Sequence, residues 1–131
     1  MKKYDPHTAP VPEDWNLLDE SERIELIKRY HKKAKVKLPN ATLHAGIHTI
    51  VENQIALGDE TPVARTTERL LDEGLDRHDA LHAVGAALTH HIHALMTNPE
   101  TAPGEDAYYK ELEALTAKKW NESQPLLCNL D

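Results

Sequence analysis

Apolar residues recur every three or four positions along most of this chain, the period of an amphipathic helix, and nowhere alternate as in a half-buried strand. Ile24, Ile27, Tyr30, His31 and Ala34 share one stripe, preceded by Asp19 with Glu22 three residues on, a capping-box pattern. This first predicted helix fades near Leu38-Pro39. Asn40 is the expected cap of a second helix over about residues 41–57, which Gly58 stops. Thr61-Pro62 opens a third, with proline in the first turn where its missing N–H costs nothing. Gly74 ends that helix, with Leu75 as the apolar contact after a glycine stop. Asp76, with Asp79 three residues later, caps a fourth helix reaching about residue 96, and Asn98-Pro99 closes it.

A Pro- and Gly-containing loop follows over 97–105. A fifth helix is expected over about 106–120, with Tyr108, Tyr109, Leu112, Leu115 and Trp120 for packing, and the last ten residues are expected to fray. Ahead of all this, residues 1–18 hold Pro6, Pro10 and Pro12 and predict an extended arm anchored by Trp15, Leu17 and Leu18. The expected fold is all-α: one domain over 1–131, a compact bundle of about five helices with an extended Pro-rich N-terminal arm.

Composition agrees with this and narrows the function. The 131 residues suit one core, and with no Phe and 5% aromatics that core must be built from Leu, Ile, Val and Ala. A formal charge of −7 disfavours nucleic acid and anionic membranes as partners. The run Lys28 to Lys37 is basic and reads as a solvated helix end. No stretch approaches the roughly 20 apolar residues of a membrane span, and the N-terminal residues lack the apolar run of a signal peptide. Cys128 is the lone cysteine, which rules out an internal disulfide or a thiolate cluster and fits a reducing compartment. The expected location is cytoplasmic.

The candidate chemistry lies in residues 41–96. In the second predicted helix Leu43, Ile47, Ile50, Val51 and Leu57 form the apolar face, with His44, His48 and Glu52 one turn apart along its edge. In the fourth, Leu81, Val84, Gly85, Leu88, Ile92 and Leu95 define the face and His78 and His82 flank it, with Thr89 and His93 further along that line. Facing helices with ligating side chains at turn spacing are how bundles build metal sites. Imidazole and carboxylate donors suit a transition metal, Zn or Fe foremost, rather than Ca or Mg. The expected ligands are His44, His48, Glu52, His78 and His82, with His93 and His31 as weaker candidates. Asp79 and Gln54 are candidates to orient the ligands, and Glu52 is the one candidate catalytic base.

Competing chemistries find little support. There is no His-Glu-x-x-His sequence, the glycines are dispersed, and Ser21 and Ser123 are the only serines. His31 also reads as a core histidine, and His7, in the Pro-rich arm, has no assigned role.

The segment 43–96 resembles a family of small bacterial helical proteins of unknown function. The resemblance rests on His44, His48, Glu52, Gln54, Pro62, His78, Asp79, Ala80 and His82 in their spacing. It implies a shared site, with no reaction attached. Two function classes therefore stand: a mono- or dinuclear non-haem metalloprotein, which includes an enzyme on a small-molecule substrate, or an adaptor that binds a protein partner. The adaptor would be metal-free, with histidines as a pH-responsive layer, or closed around structural zinc. A homo-oligomer is compatible with either.

Overall fold

A computed structural model describes residues 1–34 and 40–123. Those residues form seven α-helices and one short 3-10 turn: α1 (Pro12–Asn16), α2 (Glu20–Lys33), α3 (Ala41–Ala56), the turn at Gly58–Glu60, α4 (Val63–Asp72), α5 (Arg77–Thr97), α6 (Glu105–Ala114) and α7 (Ala117–Ser123). The bundle is all-α, as its periodicity required. Among the described residues no helix is long and apolar enough to cross a membrane. Cys128, Lys35, Lys37, Leu38-Pro39 and most of the expected frayed tail lie outside the described residues. Arg29, Lys32 and Lys33 of the basic run are exposed, as a solvated helix end should be.

The predicted caps form as the side-chain chemistry dictates. Asp19 Oδ1 accepts from the Glu22 N–H at 2.8 Å while Glu22 Oε1 accepts from the Asp19 N–H at 3.1 Å. The Glu22 N–H, and after it the Ser21 hydroxyl, hold the Asp19 carboxyl below its usual range. Asn40 caps α3 through the Leu43 N–H and Asp76 caps α5 through the Asp79 N–H. At the end of α4, the Gly74 N–H reaches Leu71 O and the Leu75 N–H reaches Leu70 O, the paired bonds of a glycine-terminated helix. Gly74 has φ 109°, a backbone conformation that side-chain-bearing residues rarely adopt.

Two expectations change. The single helix predicted over 106–120 breaks at Leu115 and Thr116 into α6 and α7. The reason lies in α4. Arg69 donates to the carbonyls of Leu112 and Leu115, satisfying acceptors at the end of α6. Glu73 accepts from the Ala117 N–H at the start of α7 at 2.9 Å. A tertiary neighbour thus supplies the partners that a continuous helix would have found within itself. The N-terminal segment also differs from an extended arm: α1 interrupts it, and Tyr4, Pro6 and Trp15 are buried while Leu17 is exposed.

Side chains pack in two apolar groups. One joins Val51, Val63, Leu70, Val84, Leu88, Leu112 and Trp120 across α3 to α7. The other joins Tyr4, Trp15, Leu26, Ile27 and Ala45, so the N-terminal segment and α2 seat on α3. Burying a side chain such as Ile27 or Leu70 stabilises by about 1.5–3 kcal/mol. Helix α3 packs against α2 on one side and α5 on another, so apart from Val51 its most buried positions are not those of the expected apolar face. Leu43 and Leu57 are largely exposed, while His44, His48, Thr49, Val51 and Glu52 are buried. The histidine row sits within the bundle rather than at the edge of its core.

Candidate metal centre

Five imidazoles meet where α2, α3 and α5 pack together. The α3 turn spacing stacks His44 and His48, with ring centroids 4.7 Å apart, and the α5 turn spacing stacks His78 and His82, 4.5 Å apart. The two rows approach each other: His44 lies 5.6 Å from His82 and His48 lies 5.4 Å from both His78 and His82. Gly85, one turn beyond His82 on its helix, helps permit this closeness, since a Cβ there would stand 3.2 Å from Ile47 Cγ2. The fifth ring is His31 of α2, 4.8 Å from His44, 5.1 Å from His48 and 6.0 Å from His78. His31, His44, His48 and His82 are buried and His78 is half-buried.

His31 shows how one ring is oriented. Its Nδ1 lies 2.9 Å from the Ile27 carbonyl, which can only accept, so Nδ1 is the donor, and in the neutral ring that leaves the lone pair on Nε2. A histidine whose other nitrogen donates to a carbonyl is the usual arrangement of a metal ligand. Across the cluster, ligand atoms gather into two triads, His31 with His48 and His78, and His44 with His48 and His82, each within 4.8 Å of one another. His48 belongs to both. Tyr30 borders His31 and His78 at 5.1 and 5.9 Å, and Tyr4 borders His48 at 6.3 Å.

Glu52 stands elsewhere. Although one turn beyond His48, it has both carboxylate oxygens engaged: Arg77 Nη2 donates to Oε1 at 2.8 Å, and Arg77 Nη1 and Tyr4 Oη donate to Oε2 at 2.9 and 2.6 Å. The same Nη1 reaches the Pro6 carbonyl at 2.9 Å. A buried carboxylate in water-poor surroundings needs a cation, and here the residue directly before His78 provides it. Glu52, expected as a ligand and base, is thus engaged by Arg77 and Tyr4, and the ligand triads among the described residues are made of histidines alone. Burial lifts the Tyr4 phenol well above its ordinary value, and the Glu52 carboxylate adds to the rise. For Arg77, burial opposes the charge but hydrogen bonding and attraction to Glu52 outweigh it, so its pKa rises.

The remaining candidates separate as follows. Gln54 Oε1 accepts from Tyr108 Oη at 2.8 Å and faces α6. Asp79 is half-buried in the first turn of α5, beside His78. His93 is exposed; His90 pairs with Glu111 at 3.3 Å and His91 stacks on Tyr108, all away from the cluster. His7, which had no expected role, sits at its rim with its ring 5.3 Å from His78 and its Nδ1 3.2 Å from Asp5 Oδ1. The signal for His31 was its place on the apolar stripe of α2. Arg77 could have been found by asking which cation neutralises a glutamate on a buried helix face.

Protonating several of these rings together would set like charges a few ångströms apart in a low-dielectric interior. A divalent cation would instead draw on their lone pairs. No family model, curated protein or solved structure matches this chain, so the functional reading rests on this geometry.

Proposed function

We propose that this protein binds transition metal through the imidazoles of His31, His44, His48, His78 and His82. The observation that carries the reading is the gathering of five histidines from three helices into two ligand triads inside the bundle. The residues that pattern 43–96 after a bacterial helical family include four of these five. With Glu52 held by Arg77, the donors are all imidazole nitrogens. Such a set suits Zn(II) first, with Fe(II) also accommodated.

An ion held by three imidazoles keeps a position for water, the arrangement of catalytic rather than structural zinc. His78, the half-buried member beside exposed His7, marks the side from which water or a small substrate reaches it. A metal bound there supplies Lewis acidity or an activated water. The chain's own part is to hold the rings by packing and to keep the Glu52 carboxylate out of the ligand set. Elemental analysis of untagged protein purified without chelator tests the proposal. Stoichiometric metal in the wild type and its loss in His48→Ala are expected, and metal-free protein that also takes up no Zn(II) or Fe(II) would overturn it.

A further inference from the structure

The geometry points to His48 as a bridge between two metal ions, one on each of its ring nitrogens. This rests on the metal reading above and goes beyond it. The other four rings form a closed circuit: His31 to His44 at 4.8 Å, His44 to His82 at 5.6 Å, His82 to His78 at 4.5 Å, and His78 back to His31 at 6.0 Å. His48 lies against every member, at 5.1, 4.7, 5.4 and 5.4 Å from His31, His44, His78 and His82. The two ligand triads use opposite sides of that circuit, the His31–His78 side and the His44–His82 side, and have only His48 in common. The donors thus gather as two sets of three rather than one set of five.

An imidazole has two nitrogens, separated by one ring carbon, whose lone pairs diverge in the ring plane. The one shared residue therefore carries two donor atoms, enough for each triad to take one. Binding of the first ion uses the lone pair of one nitrogen. Binding of the second displaces the proton from the other, which passes to solvent, and the ring becomes an imidazolate with a lone pair toward each ion. Two flanking cations favour that anion by the same electrostatics that deprotonate a coordinating thiol. No oxidant or further reactant is needed. Each ion then has His48 and two private ligands, and each keeps room for an exogenous ligand.

Copper(II) is a direct probe, because two ions bridged by an imidazolate couple their unpaired spins. The experiment uses the whole chain with exposed His90 and His93 replaced by Gln, so that surface binding does not inflate the count. At saturation, two Cu(II) per chain are expected with an integrated electron-paramagnetic-resonance intensity at low temperature well below that of two independent ions. His31→Ala and His44→Ala are each expected to retain one ion at full intensity, and His48→Ala to lose the coupled pair. One ion per chain at saturation, or two ions at full uncoupled intensity, would overturn the bridge while leaving the metal reading intact. Binding of no metal at all would overturn both. The measurement on this chain, with all five cluster histidines intact, decides the matter even if a cluster variant fails to fold.

Discussion

Arg77 and Glu52 meet in a two-pronged ion pair inside the bundle, Nη2 to Oε1 at 2.8 Å and Nη1 to Oε2 at 2.9 Å. The pair ties the first turn of α5 to the last turns of α3, immediately beside the histidine rows on those helices. Tyr4 and the Pro6 carbonyl complete its hydrogen bonds, so the N-terminal segment closes over it.

Removing one member strands a buried charge. Arg77→Ala is expected to destabilise by about 3–5 kcal/mol, measured by denaturant unfolding. Tyr4→Phe removes one charge-assisted bond but leaves the ion pair, and is expected to cost about 1.5–3 kcal/mol. A double variant, Arg77→Met with Glu52→Leu, should recover most of the single-variant loss. Equal stability of Arg77→Ala and wild type would contradict the buried pair.

Metal binding should show in melting temperature. A ligand that binds only the folded chain stabilises it by about 4 kcal/mol at a thousandfold excess over its dissociation constant. For a chain of this size that raises Tm on the order of 10 °C or more. Adding Zn(II) to chelator-treated protein should reproduce such a shift, and His48→Ala should abolish it. His93→Ala, which alters an exposed residue outside the cluster, should leave the shift unchanged.

Two glycines within helices should respond in opposite directions. A Cβ at Gly46 would meet nothing within 4 Å, so Gly46→Ala is expected to stabilise by about 0.5–1 kcal/mol through backbone entropy. Gly85 lies where α5 approaches Ile47 of α3. Gly85→Leu should force the helices apart at a cost of about 1–3 kcal/mol. It should also weaken metal affinity by isothermal titration, although no ligand is changed.

Acid should release the clamp between α4 and α7. The Ala117 N–H and the Arg69 guanidinium hold the Glu73 carboxyl below its ordinary value. A depressed folded value means the contribution is complete above the unfolded value and is lost as pH falls through the folded one. Glu73→Gln should therefore melt below the wild type at neutral pH, and the gap should narrow as pH falls below the ordinary carboxylate range and through the depressed folded value. A gap that persists in acid would assign the effect to shape rather than charge.

The helices α2 to α5, their order and most of their caps were legible from local chemistry. Asp19, Asn40 and Asp76 satisfy N–H groups three residues away, and Gly74 ends its helix through bonds within its own turn. Such interactions span a few residues, so spacing alone specifies them. Turn spacing likewise placed His44 beside His48 and His78 beside His82, because helix geometry stacks residues four apart wherever the helix lies.

Tertiary structure decided the rest. Whether the row His44, His48, Glu52 serves one site or two depends on what packs against each turn. The first two positions meet His31 and the α5 histidines, and the third meets Arg77 and Tyr4. Periodicity reports which side chains share a stripe on one helix, but a helix packed on two sides has two buried stripes, and only the neighbouring helices determine which residues they bring together. For the same reason the break between α6 and α7 was invisible locally: its hydrogen-bond partners, Arg69 and Glu73, come from more than forty residues away.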